Sequence, residues 1–91
     1  MKIKFRSFAG FRYILGAENE VDLASGARIE DLLHALCADH HDLEPMLFNE
    51  NGIRDDVNIM VNGRNIASEQ GVQTKLSEGD EVALFPAAIG G

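Results

Sequence analysis

The 91-residue chain is long enough for one small domain, and its hydrophobic (45%) and charged (25%) fractions are ordinary for a globular protein. Its net charge of −7, from 15 acidic and 8 basic side chains, argues against nucleic acid and anionic membranes as partners. The charge favours a basic partner surface, but taken alone it is better explained as keeping a small protein soluble. Cys37 is the single cysteine, which excludes an internal disulfide bond and a zinc site built from several cysteines.

The N-terminal segment is not expected to act as an export signal. Lys2 and Lys4 interrupt the first apolar stretch, so this segment is unlike a signal peptide. The longest apolar run of the sequence is also far shorter than a membrane-spanning helix requires. We therefore expect a cytoplasmic location without membrane association.

The first half of the chain predicts two strands and a helix. Residues 2–8 alternate between apolar and polar, which predicts a strand with Phe8 on the side opposite the core. Residues 11–15 predict one helical turn, and residues 18–23 predict a second strand that pairs with the first. Apolar side chains then recur at helical spacing, at Ile29, Leu32, Leu33 and Leu36.

The predicted helix has mixed signals at its start. Glu30 and Asp31 fall in the first turn, where the helix dipole favours acidic side chains. Arg28 occupies the N-cap position, where serine, threonine or aspartate would be expected, so the predicted cap is weak. The helix is expected to end between Asp39 and His41.

The second half predicts short strands joined by turns. Residues 43–53 form a connection, residues 58–61 a strand, and residues 64–67 a short returning strand. Residues 81–85 form the last strand, and Pro86 is expected to end it because proline cannot donate to a ladder.

These elements predict an α+β fold with a helix between two hairpins. A right-handed crossover places the last strand beside the first and parallel to it, in a mixed sheet wrapped over one main helix. This is the β-grasp arrangement. We expect one domain over residues 1–86, followed by a flexible tail over residues 87–91.

The tail ends in Gly90-Gly91, and glycine suits a carboxylate that must thread a narrow tunnel in another protein. A carboxylate does not react with thiols or amines until it gains a good leaving group, which acyl-adenylate formation with ATP supplies. The chain lacks the Gly-x-x-x-x-Gly-Lys phosphate loop, so adenylation would fall to a partner and no cofactor is expected to bind here. A frayed end without a role is the alternative.

Several segments resemble a known family. Leu76–Gly91 (LSEGDEVALFPAAIGG) resembles the C-terminal signature of the molybdopterin synthase small subunit and of ThiS-type sulfur carriers, and Phe8–Gly16 (FAGFRYILG) resembles the molybdopterin group. Leu43–Phe48 (LEPMLF) with Val57–Gly63 (VNIMVNG) is similar to the small archaeal modifier proteins. The chain departs from many relatives at Pro86-Ala87, where they carry Pro-Pro.

The resemblance implies a ubiquitin-like carrier rather than an enzyme. It implies an E1-like adenylating partner that uses ATP at the Gly91 carboxylate. The product would be a thiocarboxylate or an isopeptide bond to a target-protein lysine. Two rivals remain: the small subunit of molybdopterin synthase, docked on a larger subunit, and an interaction domain with an incidental Gly-Gly end.

Strand alternation also predicts a docking face. Phe8, Met60 and Phe85 are expected to point away from the core, close to Pro86 where the tail begins. Grouped exposed aromatic side chains often mark interfaces, although single exposed apolar residues are normal. We therefore predict that these four residues bind the partner.

A second cluster lies on the predicted helix. His34, Cys37 and His41 occupy positions i, i+3 and i+7 and are expected to share one face, where they would offer three metal ligands. The sequence shows no fourth ligand, and Cys37 flanks the apolar stripe of the helix. We therefore interpret Cys37 as a residue at the core boundary, with no metal bound and no catalytic role.

Overall fold

The structure is a computed structural model and describes residues 1–86; residues 87–91, with the predicted tail and its Gly-Gly pair, lie outside the described residues. The strands are β1 (Lys2–Ser7), β2 (Glu18–Asp22), β3 (Phe48–Asn49), β4 (Gly52–Ile53), β5 (Val57–Val61), β6 (Arg64–Asn65) and β7 (Glu81–Pro86). The α-helices are α1 (Gly10–Leu15), α2 (Ile29–Asp39) and α3 (Glu44–Leu47). Short 3-10 turns lie at His41–Leu43, Ile66–Ser68 and Gly71–Gln73.

The main sheet of the described residues has five strands in the order β2-β1-β7-β5-β6. β1 and β7 are parallel neighbours near its centre, with Ser7 level with Leu84, and the other pairs are antiparallel. This confirms the predicted crossover and the α+β β-grasp fold. β7 is therefore an inner strand, with β1 on one side and β5 on the other.

The core lies between one face of the sheet and α2. Along β1 and β7 buried and more exposed residues alternate, as the period of two in the sequence predicts. The buried side chains of the two strands pack in one cluster with the apolar stripe of the helix. That cluster includes Ile3, Phe5, Val82, Leu84, Ile29, Leu32, Leu33 and Leu36.

The helix α2 has half of a capping box. The backbone N–H of Arg28 donates to the Asp31 carboxylate at 2.8 Å, while the arginine side chain, which has no acceptor atom, returns no such bond. The helix ends at Asp39, and the backbone N–H of His40 still donates to the Leu36 carbonyl at 2.9 Å. The helix was predicted to end between Asp39 and His41, and it ends at the first of these residues.

Two predicted boundaries are wrong for local reasons. The connection after α2 contains α3 and a small hairpin in which Phe48 pairs with Ile53, and short strands of this kind leave little periodicity to read. β6 ends at Asn65 rather than at Ala67, because the Asn65 side chain accepts a hydrogen bond from the Ala67 N–H at 2.9 Å and starts a 3-10 turn.

β7 reaches Pro86, one residue beyond the predicted end at Phe85, and Pro86 pairs with Val57. Hydrogen-bonded and non-hydrogen-bonded pairs alternate along β5 and β7. The Asn62 N–H donates to the Glu81 carbonyl, so counting back along the strands makes Val57 and Pro86 a non-hydrogen-bonded pair. The Pro86 nitrogen therefore faces the β1 side, where β1 has already ended at Ser7. No ladder donor is needed there, so proline is tolerated.

Candidate functional site

The outer face of the sheet, turned away from α2, carries a pair of aromatic rings where β1 and β7 end. The Phe8 and Phe85 ring centroids lie 6.1 Å apart with their planes at 89°, an edge-to-face arrangement. The parallel register brings them level, since Ser7 pairs with Leu84 and the Phe8 N–H donates to the Leu84 carbonyl at 3.1 Å. Phe8 stays 42% exposed, so much of the pair is open to a partner.

Met60 extends this surface across the next strand. It lies opposite Ala83 in the β5–β7 register, and both are half-buried on the same face as Phe85. We refer to Phe8, Met60, Ala83 and Phe85 as the apolar patch. The structure therefore brings together three of the four residues that the sequence predicted for docking. Whether they bind a partner stays a prediction.

The fourth predicted docking residue, Pro86, lies apart from the apolar patch. Pro86 lies two residues after Leu84 in β7, so it falls on the same, core-facing side of the sheet. There it helps to line an open pocket of about 270 Å³ together with Phe11, Met46 and Val57. Strand alternation alone would have placed it there. Pro86 therefore faces this pocket rather than the Phe8 ring.

Charged side chains border the apolar patch on the β1–β2 side. Arg6 lies 3.4 Å from the Glu18 carboxylate and 3.7 Å from the Glu81 carboxylate, and these side chains are about half exposed or more. Exposed ion pairs of this kind contribute little to stability because water and salt screen them. A charged rim beside an apolar centre is the usual anatomy of a protein–protein interface.

A row of amide side chains borders the apolar patch on its other side, and the sequence analysis missed it. The Asn65 Nδ2 donates to the Asn58 Oδ1 at 3.2 Å, and the Asn58 Nδ2 donates to the Pro86 carbonyl at 3.5 Å. Both asparagines are half-buried. Their contact depends on the pairing of β5 with β6 and β7, which no spacing within one strand reveals.

The cluster predicted around Cys37 forms an open pocket of about 560 Å³ on the helical side of the molecule. His34, Cys37 and Ala38 come from α2, while His41 lies in the following 3-10 turn, so the prediction that His41 shares the helix is wrong. Burial raises the pKa of the Cys37 thiol, and the negative charge of Glu44 raises that pKa further. The thiol is therefore held in its less nucleophilic, protonated form.

The described residues offer no metal site in their present arrangement: among residues 1–86, no group of three or more histidine, cysteine, aspartate or glutamate side chains is placed to hold a metal ion. Cys37 instead packs against the core, as its place beside the apolar stripe predicts.

Within residues 1–86, the structure has no helix with the length and apolar character needed to cross a membrane.

A mixed sheet with its first and last strands parallel near the centre, wrapped over one main helix, defines a β-grasp protein of the ubiquitin-like class. The ThiS family model matches residues 6–91, and the chain belongs to this family. The resemblance seen in the sequence is thereby confirmed. Members of the family are small modifier or sulfur-carrier proteins that are not themselves catalysts.

Individual relatives point in the same direction. Small archaeal modifier protein 3 from Haloferax volcanii is 33% identical over 94 aligned positions, which cover 100% of both chains. The crystal structure of SAMP1 from Haloferax volcanii has a TM-score of 0.83 at 31% identity, again covering 100% of both chains. A putative molybdopterin converting factor, subunit 1, from Pyrococcus furiosus has a TM-score of 0.76 at 33% identity, with 97% of this chain and 99% of that chain covered.

Proposed function

We propose that the protein is a ubiquitin-like modifier and sulfur carrier whose Gly91 carboxylate is adenylated by an E1-like enzyme. The observation that carries this proposal is the position of β7. It runs beside the apolar patch to Pro86, and the family match continues through Gly91. A docked partner would therefore find the Gly90-Gly91 pair within reach.

The chemistry requires only a carboxylate from this chain. The Gly91 carboxylate attacks the α-phosphorus of ATP in the partner, releasing pyrophosphate and leaving an acyl adenylate. Hydrosulfide (HS⁻) then displaces AMP to give a thiocarboxylate, or a lysine amine displaces AMP to give an isopeptide bond. The chain itself binds no nucleotide in this scheme. Its sequence has no phosphate-binding loop of the Gly-x-x-x-x-Gly-Lys kind.

The apolar patch would supply the binding contacts that a short glycine-ended segment cannot make. Threading a short glycine-ended segment into an active site costs conformational entropy, which contacts elsewhere must offset. Phe8 and Phe85 form a pre-arranged aromatic pair, so burying them costs little further ordering. Docking through this patch would hold the partner close to the end of β7.

Deleting Gly90 and Gly91 tests the proposal. The adenylating enzyme of the source organism should exchange pyrophosphate into ATP with the full chain and lose that activity with the truncated chain. The thermal midpoint of the truncated protein serves as the control and should be unchanged, because the deletion removes no residue of the described core. Undiminished exchange with the truncated protein would overturn the proposal.

A second candidate is the small subunit of molybdopterin synthase. It is favoured by the 33% identity to the Pyrococcus furiosus protein described as a putative molybdopterin converting factor subunit. In that role the thiocarboxylate tail would enter a larger catalytic subunit. Purification from the native cells separates the two: a stoichiometric complex with one larger protein supports the subunit role, and a ladder of covalent adducts supports the modifier role.

A further inference from the structure

We propose that Ala9 is a positioning residue whose strained backbone holds Phe8 on the outer face of the sheet, against Phe85. Phe8 and Ala9 are the two residues that connect β1, which ends at Ser7, to α1, which begins at Gly10. The inference rests on the proposed function, because Phe8 belongs to the apolar patch through which the partner would dock. It assigns to that function a residue outside the apolar patch.

The backbone of Ala9 adopts a conformation that glycine usually occupies. Its φ of 52° and ψ of −130° are close to those of the first central residue of a type II′ turn. Among residues 1–86 only two residues other than glycine have a positive φ, and the second, Asn62, is of a type that tolerates it. A residue with a Cβ atom is strained at these angles, so the surrounding contacts must impose the conformation on Ala9.

The glycine that follows does not relieve this strain. Gly10 is the first residue of α1, and its φ is not positive. A Cβ atom at this position would lie 3.3 Å from the Met46 Cε, a tighter contact than usual, so glycine suits position 10 through packing rather than through the turn. Ala9 must therefore make the change of direction between the strand and the helix.

Contacts on both sides of the turn hold Ala9 in this conformation. The Phe8 N–H donates to the Leu84 carbonyl at 3.1 Å, and the Phe8 carbonyl accepts from the Phe11 N–H at 3.2 Å. The Ala9 carbonyl accepts from the Arg12 N–H at 3.0 Å. Phe11 is 4% exposed and anchors α1 in the core. Since strand and helix are both anchored, Phe8 is the residue that would move if the conformation of Ala9 changed.

The strain at Ala9 therefore acts on the aromatic pair rather than on the core. Ala9 is exposed and lines an open pocket with Arg12 and Tyr13, so a larger side chain at position 9 would meet solvent. A β-branched side chain would nevertheless strongly disfavour the positive φ, and Phe8 would turn away from Phe85. A partner would then have to reorder Phe8 on docking, and binding would weaken.

Two substitutions at Ala9 test the inference, and the same two substitutions at Ala24 are the matched controls. Ala9→Val excludes the strained conformation, whereas Ala9→Gly permits it without strain. Ala24 is also an exposed alanine outside the strands and helices, and its φ is not positive. Its carbonyl likewise accepts a turn hydrogen bond, from the Ala27 N–H at 3.1 Å.

The first readout is the nuclear Overhauser effect between the ring protons of Phe8 and Phe85, measured without any partner. We expect Ala9→Val to lose most of this effect and to bind the adenylating enzyme about tenfold more weakly, as when one aromatic anchor is displaced. Ala9→Gly and both Ala24 variants should keep the effect and the affinity. A folded Ala9→Val protein that keeps the effect, or one that loses it at unchanged affinity, would overturn the inference. Failure of the unchanged protein to bind the enzyme would contradict the proposed function, and the effect measured without the partner would still test Ala9.

Thermal unfolding tests the strain even if Ala9→Val fails to fold. Replacing alanine by glycine at an unstrained position adds freedom to the unfolded chain, so Ala24→Gly should lower the thermal midpoint by about 3 °C. Ala9→Gly should leave the midpoint unchanged or raise it, because the relief of strain offsets that loss. An equal fall of the midpoint in the two glycine variants would overturn the inference.

Discussion

The edge of one aromatic ring meets the face of another where β1 and β7 end: Phe8 and Phe85 lie 6.1 Å apart at 89°. The two residues are 77 positions apart in the sequence (85 − 8), and the parallel crossover alone makes them neighbours. Their pairing joins the fold to the proposed docking surface, because the strand that carries Phe85 also carries the end of the chain.

Phe85→Ala should weaken binding to the adenylating enzyme more than it weakens the fold. Phe85 is half-buried and packs on Phe8, so we expect the free energy of unfolding to fall by about 1–2 kcal/mol, less than the 3–5 kcal/mol typical of a core phenylalanine. Binding should weaken by about 1–3 kcal/mol, the range of a moderate aromatic hot spot. Urea unfolding and calorimetric titration on the same variant measure both quantities.

Phe5→Ala is the matched control on the opposite face of β1. Phe5 is 3% exposed and belongs to the core cluster, so its loss should cost about 3–5 kcal/mol of unfolding free energy. If Phe85→Ala proves as destabilising as Phe5→Ala, Phe85 acts as a core residue. Unchanged partner affinity in a stable Phe85→Ala protein would remove the apolar patch from the proposed function.

Cys37 should react slowly with alkylating reagents, and its removal should leave the chemistry of the tail intact. Burial and the charge of Glu44 raise the pKa of the thiol, so half-maximal alkylation by iodoacetamide should occur at a higher pH than for free cysteine. Cys37→Ala should form thiocarboxylate as the unchanged protein does. A folded Cys37→Ala protein that forms none would assign the cysteine a direct role.

Asp31 and Asp39 stand at opposite ends of α2 and should respond oppositely to removal. Asp31 accepts a hydrogen bond from the Arg28 N–H at 2.8 Å and lies at the end where the helix dipole favours acids. Asp31→Ala should therefore lower the unfolding free energy by about 1 kcal/mol. Asp39→Ala, at the end where an acidic side chain is unfavourable, should be neutral or slightly stabilising. Equal losses in the two variants would refute the capping role.

The sheet and its outer face could be predicted because the alternation of apolar and polar side chains along a strand can be recognised in the sequence without knowledge of the tertiary structure. Phe8, Met60 and Phe85 fall on the outer face by parity alone, and the crossover rule places Phe8 beside Phe85. The β3–β4 hairpin was missed because its two-residue strands have no period to detect. Asn58 and Asn65 were predicted only as strand residues, since their contact depends on the lateral pairing of three strands.

The most direct measurement of the proposed function is the intact mass of the protein isolated from its own cells. If the Gly91 carboxylate is activated, a fraction of the protein should be about 16 Da heavier because sulfur has replaced one oxygen, or should be linked to another protein through a lysine with loss of one water. Digestion would place either change on the peptide that ends in Gly91. Protein isolated under sulfur-demanding growth that shows only its unmodified mass and forms no covalent adduct would contradict the proposal.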